Sequence, residues 1–311
     1  PLVPAAGVVF LVNPAAGNGA AGRRWPEIAR QAADAGLRGE ALLSEGPGHI
    51  VELARHAAEG EVGLVVVVGG DGTVNEAVNG LLHAKTGGGE GVELALLPRG
   101  TGDDFARTFG IPTDLERALE VAVRGSVRTI DAGGARFLGW DASHQERYFA
   151  NFAGAGISGA IARRGEATSR RLGARIAYLW ATVAVFARWK SVQMSVGLDD
   201  DRREGRMYEV LVANGAYAAG GMRVAPDAAA DDGLFDVVMI GDVTKAEFLT
   251  TFPKIYRGTH VGHPKVDVVR ARTVSVDAAV PLPVVLDGEQ PGTTPATFEV
   301  LPGALRLRVP G

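Results

Sequence analysis

Leu64-Val65-Val66-Val67-Val68-Gly69-Gly70-Asp71-Gly72-Thr73 decides how the first part of the chain is read. Five apolar residues in a row, without polar alternation, predict a strand covered on both faces. The glycines around Asp71 predict an abrupt turn, and Thr73 to Leu82 then carries helical periodicity with Thr73 as its N-cap. The same rhythm extends outward in both directions. Val8 to Val12 reads as a strand, and Trp25 to Ala35 as a helix with Pro26 in its first turn. Ala41 to Leu43 is a brief strand, followed by a helix from His49 to Ala58. Leu94 to Leu97 is a further strand, with short helices over Asp103 to Phe109 and Leu115 to Val123. Strands alternating with helices over short connections predict an α/β domain built on a parallel sheet.

After about Ser126 the pattern changes. Short runs at Tyr208 to Ala213, Leu234 to Ile240, Val274 to Val276 and Val284 to Asp287 are separated by Gly, Pro and Asp clusters, which predicts an antiparallel, β-rich domain. Helical stretches interrupt it at Arg170 to Lys190 and Lys245 to Tyr256. Ala304 to Val309 alternates as a half-buried strand does. The expected division is 1–126 and 127–299, with a strand over 300–311 returning to the first domain. No internal repeat is present, and Gly87 to Gly91 reads as a flexible connector.

The 311 residues are 46% hydrophobic and 22% charged, ordinary for a globular protein. Thirty-two Lys and Arg against 36 Asp and Glu leave a net charge of −4, so no nucleic-acid partner held by bulk charge is expected. The absence of cysteine removes disulfides, thiolate metal sites and cysteine nucleophiles, and fits a reducing, cytoplasmic setting. Ile176 to Ala187 is the longest apolar stretch and reaches only about half of the ~20 residues a bilayer requires. The expectation is a chain that visits a membrane surface peripherally. Trp180, Phe186 and Trp189 fit either a core or a lipid groove.

In an open parallel sheet, ligands bind beyond the carboxyl ends of the strands. The glycine-rich and polar segments fall there: Asn13-Pro14-Ala15-Ala16-Gly17, Ser44-Glu45-Gly46, Gly69 to Thr73, and Pro98-Arg99-Gly100-Thr101-Gly102-Asp103-Asp104. Glycines let backbone N–H groups approach a phosphate chain, and the following helix aims its positive end at the same anion. Asp71 would repel phosphate unless a divalent cation lay between them, which points to Mg²⁺ bound with a nucleotide. The alternative is a tight strand-to-helix turn. Thr101 can donate a hydroxyl hydrogen bond and Asp104 offers a second carboxylate. Gly69 to Thr73 is neither a GxGxxG dinucleotide loop nor a Walker loop, since no Gly-Lys-Ser/Thr occurs.

Near the other end, Val284-Val285-Leu286-Asp287-Gly288-Glu289 closes on two carboxylates. In extended geometry both would point to one face, suiting a general base and a partner that tunes it. The competing reading is an Asp-Gly hairpin turn. Asp231-Asp232-Gly233 reads equally as a hard-cation loop or as an ordinary acidic turn. Asn214 to Gly221 is a run of small residues that permits close approach. His260 and His263 read as loop residues, and Gly156-Ile157-Ser158-Gly159 lacks the fifth position of a nucleophile elbow.

Asn13-Pro14 with Gly17 and Gly19, Gly69 to Thr73 with Asn75-Glu76, the Pro98-x-Gly-Thr-x-x-Asp-Phe-Ala-Arg run ending at Arg107, and Asp287-Gly288-Glu289 occur in one order. Together they resemble the diacylglycerol kinase catalytic-domain family, which includes bacterial soluble diacylglycerol kinases, YegS-like lipid kinases, and sphingosine and ceramide kinases. The resemblance implies a nucleotide-binding, NAD-kinase-like α/β domain and a C-terminal β-sandwich for the lipid, with ATP and lipid meeting in the cleft between them. It implies ATP- and Mg²⁺-dependent phosphorylation of a lipid hydroxyl, with diacylglycerol giving phosphatidic acid as the leading case and phosphatidylglycerol-like or sphingoid acceptors as alternatives. ATP contacts carried over by position are Asn13, Pro14 and Gly17 in the first loop, Ser44 in the second, and Gly70, Asp71, Gly72, Thr73, Val74, Asn75 and Glu76 in the third. Thr101 and Asp104 follow in the fourth. Glu289 would be the proton acceptor, with Asp287 close behind it, and Asp71 would order the metal. A structural Mg²⁺ would be held by the Asp232 carboxylate and the carbonyls of Ala229 and Leu234.

The family usually has Asn-Asp where this chain has Asp103-Asp104. The first loop has no nearby lysine, which leaves Arg23 and Arg24 to approach a phosphate. The implied partner is a membrane lipid at the bilayer surface, and a homodimer is compatible with the sequence. Two other readings stay open. A soluble-substrate kinase is one, because NAD kinases and phosphofructokinases share the Gly-Gly-Asp-Gly loop. A catalytically silent nucleotide- or lipid-binding homologue is the other, motivated by Asp103.

Overall fold

The computed structural model describes residues 7–84, 91–162, 184–186 and 188–311. Trp180, most of the helix expected over 170–190 and most of the 87–91 connector lie outside the described residues. The chain forms two compact units, Pro1–Asp131 together with Pro302–Gly311, and Ala132–Leu301.

In the first unit, strands and helices alternate: β1 (Gly7–Val12), α1 (Ala16–Asp34), β2 (Glu40–Leu43), α2 (His49–Glu59), β3 (Val62–Gly69), α3 (Asp71–Ala84), β4 (Glu93–Pro98), α4 (Asp104–Thr108) and α5 (Leu115–Arg124). β1 pairs in parallel with β2 and β3, and β3 with β4. Leu64 to Val68 is fully buried, as an unbroken apolar run requires, and Val66 and Val68 pack with Phe10, Val12, Ile28 and Leu119. Each such aliphatic side chain contributes about 1.5–3 kcal/mol of burial.

Two helix starts differ from the sequence expectation. The Ala16–Asp34 stretch of α1 is broken by a kink at Gly17, Asn18 and Gly19, whose φ values of 59°, 56° and 79° are left-handed, so the straight helix that carries Trp25 starts beyond Gly19. Apolar periodicity detects only the straight part beyond. α3 begins at Asp71, and the Val74 N–H reaches the Gly70 carbonyl at 3.0 Å, so Thr73 lies inside the first turn and is not the cap.

The second unit is built of antiparallel strand pairs. It contains most of β5 (Ser126–Gly139), then β6 (His144–Phe149), β7 (Phe152–Gly156), β8 (Val192–Leu198), β9 (Asp201–Ala213), β10 (Phe235–Gly241), β11 (Val266–Ala271), β12 (Thr273–Ala278), β13 (Pro283–Leu286) and the start of β14 (Glu289–Val309). Its core centres on Phe149, with ring centroids 5.5 Å from Phe235 and 6.2 Å from Phe298. The helix expected over Lys245 to Tyr256 divides into α6 (Lys245–Thr251) and a 3-10 turn (Phe252–Arg257), with Pro253 in the first turn of the second piece. Among the described residues, no helix is long and apolar enough to cross a membrane.

The end of β14 returns to the first unit. Arg306 and Leu307 pair in parallel with Glu93 and Leu94 of β4. Arg308 is buried, its Nε donating to Glu93 Oε2 at 2.8 Å and its Nη1 to the Ala122 and Val123 carbonyls at 2.7 and 3.0 Å.

Candidate active site

In the first unit, the loops after β1, β3 and β4 are tied to one another. Asn13 Nδ2 donates to Thr73 Oγ1 at 3.1 Å, and Asn13 Oδ1 accepts the Ala15 N–H at 3.0 Å. A Cβ added to Gly17 would lie 2.8 Å from the Arg99 carbonyl oxygen. The closest junction is between Gly70 and Gly100, where a Cβ on Gly70 would meet Gly100 Cα at 2.7 Å. Backbone packs on backbone there, which no other residue pair permits without displacement.

Three carboxylates stand at this junction. Asp71 Oδ1 accepts the Phe105 N–H at 2.9 Å. A Cβ on Gly102 would lie 2.9 Å from Asp71 Oδ2 and 3.4 Å from Asp104 Oδ2, so these oxygens converge on one glycine. Asp104 is buried and paired with Arg107 at 2.9 Å. Asp103 has a left-handed φ of 51°, a conformation that Asn and Asp tolerate best, and its Oδ1 accepts the Gly100 N–H at 3.1 Å. The carboxylate acts as an acceptor, a task that Asp performs as well as Asn. Burial and the neighbouring Asp71 push its carboxyl above the ordinary range.

The other first-unit candidates divide by what their side chains do. Glu76 accepts the Gly48 and Ile50 N–H groups at 3.0 and 3.2 Å, holding the start of α2 and the loop that contains Ser44. Ser44 Oγ donates to the Gly46 carbonyl at 2.8 Å. Val74 and Asn75 are buried, and Asn75 Oδ1 accepts from Asn79 at 3.3 Å. Gly72 and Thr101 are exposed, and Pro14 and Gly17 are half-buried. Arg23 folds over the left-handed turn, its Nη1 donating to Asn18 O at 3.3 Å, whereas Arg24 pairs with Glu27 at 3.6 Å.

In the second unit, Asp287 and Glu289 are not neighbours on one strand face. Asp287 and Gly288 form the two-residue turn of the β13–β14 hairpin with φ values of 46° and 96°, and Leu286 pairs with Glu289. The positive φ values select the Asp-Gly hairpin reading over the extended one. Asp287 Oδ2 accepts the Ala150 N–H at 2.8 Å, and Oδ1 accepts those of Asn151 and Phe152 at 3.0 and 2.8 Å. Such a carboxylate orders backbone. Glu289 Oε2 instead lies 3.4 Å from Arg147 Nη1, both side chains being more than 40% exposed.

The loop from Ala229 to Leu234 shows Asp232 already engaged. Its Oδ1 accepts the Leu234 N–H at 3.0 Å and its Oδ2 pairs with Arg270. A guanidinium therefore supplies the charge compensation that a cation would supply, and the fit to a structural Mg²⁺ is poor. Nor does any cluster of three or more His, Cys, Asp or Glu side chains arranged for a metal occur among the described residues. His260 is buried beneath the Val224 carbonyl at 3.1 Å and is a core residue.

Sequence reasoning missed Glu209. It is buried on β9 and accepts from Ser158 N and Oγ at 2.7 and 2.8 Å, and burial pushes its carboxyl up to about 7. A lone carboxylate inside the apolar run Tyr208 to Ala213 was the available signal. Phe186 is buried against Ile157, Ile161, Tyr208 and Val243, on the core side of the earlier alternatives.

The diacylglycerol kinase catalytic domain matches residues 7–135, and the YegS C-terminal NAD kinase beta sandwich-like domain matches residues 151–309. This chain belongs to the diacylglycerol kinase catalytic-domain, YegS-like family of lipid kinases. The diacylglycerol kinase of Staphylococcus saprophyticus subsp. saprophyticus is 27% identical over 289 residues, covering 93% of this chain and 90% of that one. The Bacillus subtilis diacylglycerol kinase is 27% identical over 290 residues, covering 93% and 91%. A crystal structure of a putative diacylglycerol kinase from Bacillus anthracis str. Sterne superposes with a TM-score of 0.80 at 25% identity, covering 97% of this chain and 95% of that one. Yeast NADH kinase complexed with NADH shares the fold alone, with a TM-score of 0.54 at 10% identity. The family's two-domain architecture accounts for the α/β first unit and the β-rich second one.

Proposed function

We propose that this lipid kinase transfers the γ-phosphoryl group of ATP to the hydroxyl of diacylglycerol at a membrane surface, giving phosphatidic acid. The observation that carries the nucleotide half is the contact of Gly70 with Gly100 beside the gathered carboxylates of Asp71, Asp103 and Asp104. Backbone donors suit phosphate oxygens there. The Oδ2 atoms of Asp71 and Asp104 both approach Gly102, and Mg²⁺, when bound, would neutralise charge on the phosphates. Asp71 and Asp104 would hold it; Asn13, Thr73 and Thr101 would orient the nucleotide.

Glu289 is the proton acceptor in this reading. The acceptor hydroxyl loses its proton to the Glu289 carboxylate as its oxygen bonds to the γ-phosphorus and ADP leaves. Asp287 is a positioning residue, because its oxygens are committed to Ala150, Asn151 and Phe152.

The test is transfer of labelled γ-phosphate from ATP to diacylglycerol, phosphatidylglycerol and sphingosine in mixed micelles, with NAD and sugar phosphates as soluble controls. Labelled phosphatidic acid is expected. Label on a soluble control alone, or none with ATP bound, overturns the reading.

A further inference from the structure

Seven large hydrophobic side chains are exposed among the described residues, and two of them, Leu249 and Tyr256, lie within eight positions of each other. Leu249 is the most exposed of the seven, at 63%. They belong to α6 and the 3-10 turn after it, whose partly buried side chains pack on neighbouring elements. Phe248 stacks on Phe186 with centroids 3.5 Å apart and on Phe252 at 5.1 Å. Phe252 and Ile255 pack against the cluster of Leu211, Met222 and Val238. Phe248, Phe252 and Ile255 turn to these neighbours, whereas Leu249 stays exposed and Tyr256, edge-on to Phe252 at 6.4 Å, leaves about half of its surface to solvent.

The charges on this segment are also one-sided. Residues 244–265 hold four Lys and Arg against one acidic residue, in a chain whose net charge is −4. That acidic residue, Glu247, is committed twice, to Lys265 Nζ at 2.8 Å and to the Thr244 N–H at 2.6 Å in the capping box of α6. Lys245 turns inward onto the carbonyls of Phe186 and Trp189. Lys254 and Arg257 are exposed beside Tyr256, and among the described residues no carboxylate forms an ion pair with either. Exposed apolar side chains flanked by unpaired cations on an otherwise acidic protein match one surface chemistry, an anionic lipid interface.

We propose that the outer face of α6 and the following 3-10 turn, formed by Leu249, Lys254, Tyr256 and Arg257, docks this kinase on an anionic bilayer. The proposal deepens the lipid-kinase reading and rests on it for the identity of the surface. Leu249 and Tyr256 would enter the interfacial layer, while Lys254 and Arg257 would meet lipid phosphates.

The experiment is co-sedimentation of the full chain with phosphatidylcholine vesicles, with and without phosphatidylglycerol, comparing wild type, Lys254→Glu/Arg257→Glu and Leu249→Ala. Circular dichroism verifies that each variant is folded. Wild type is expected to sediment with the anionic vesicles and to be released by salt. The charge-reversed variant should bind them at least about tenfold more weakly, and Leu249→Ala severalfold more weakly. All three should turn over a short-chain, water-soluble diacylglycerol equally. Equal sedimentation of wild type and the charge-reversed variant overturns the proposal, as does a wild type that ignores anionic vesicles. A lipid-free dimer that becomes monomeric in Leu249→Ala, with vesicle binding intact, also overturns it and assigns the face to a second copy of the chain. Sedimentation requires no turnover, so failure of the kinase reading would appear separately, as absent phosphoryl transfer.

Discussion

The two units handle carboxylates in opposite ways. In the first, three aspartates gather at a backbone-to-backbone contact, and the chain around them is shaped so that N–H groups and acidic oxygens face one place. In the second, Asp287 draws three N–H groups onto itself, and Glu289, two residues on, meets the Arg147 guanidinium. Backbone makes the first site and a carboxylate makes the backbone of the second. Spacing alone therefore says little about which acid does chemistry: the more enclosed acid of the Asp-Gly-Glu run is the one that builds.

The sharpest way to break that comparison is to exchange each acid for its amide. Glu289→Gln should slow turnover by about 10²–10⁴ with an unchanged urea midpoint. Asp287→Asn should slow turnover too, but it should also cost about 2 kcal/mol or more of stability, because an amide nitrogen would face a backbone donor. Turnover and urea denaturation on both variants decide it, and an unmoved midpoint in Asp287→Asn would return that residue to the list of candidate bases. On the side of the first unit, Gly70→Ala puts a methyl group 2.7 Å from Gly100 Cα. Separating the two loops should cost about 1–3 kcal/mol, and ATP affinity measured by calorimetry should fall about tenfold for each 1.4 kcal/mol of lost positioning.

The smallest effect on turnover is expected at Glu209. Its carboxyl rises from the usual 4.5 to about 7 in the folded protein. The native state therefore binds that proton more tightly than the unfolded chain does. Its contribution is complete below about pH 4.5, declines as pH rises towards 7, and is absent above that. Glu209→Gln should flatten this slope, which is on the order of 3 kcal/mol, while leaving turnover near wild type. Thermal melts of both proteins from pH 4.5 to 8 would read it.

Much of this was legible in the sequence, for identifiable reasons. An apolar run such as Leu64 to Val68 has one comfortable environment, and glycines next to Asp71 and Gly100 have few uses other than close approach. The helical run from Trp25 was equally plain. What could not be read was conformation decided by neighbours distant in sequence. The left-handed turn at Gly17 to Gly19 abuts the Arg99 carbonyl, and the Asp287 turn is held by residues 150–152. Asp103, where the family usually has Asn, serves as the acceptor from Gly100, a role that residue identity alone does not reveal. Glu209 was hidden because a carboxylate inside a strand gives no hint of the Ser158 hydroxyl that receives it.

The return of β14 to β4 also sets an order of events during synthesis. The strand that flanks β4, together with the two arginines that neutralise Glu93, follows the whole second unit in the chain. On the ribosome, the first unit waits with an open sheet edge and a largely covered acid, Glu93, still missing its two arginines until residues 302–309 emerge. A polypeptide cut short within the second unit would leave the first one unfinished as well.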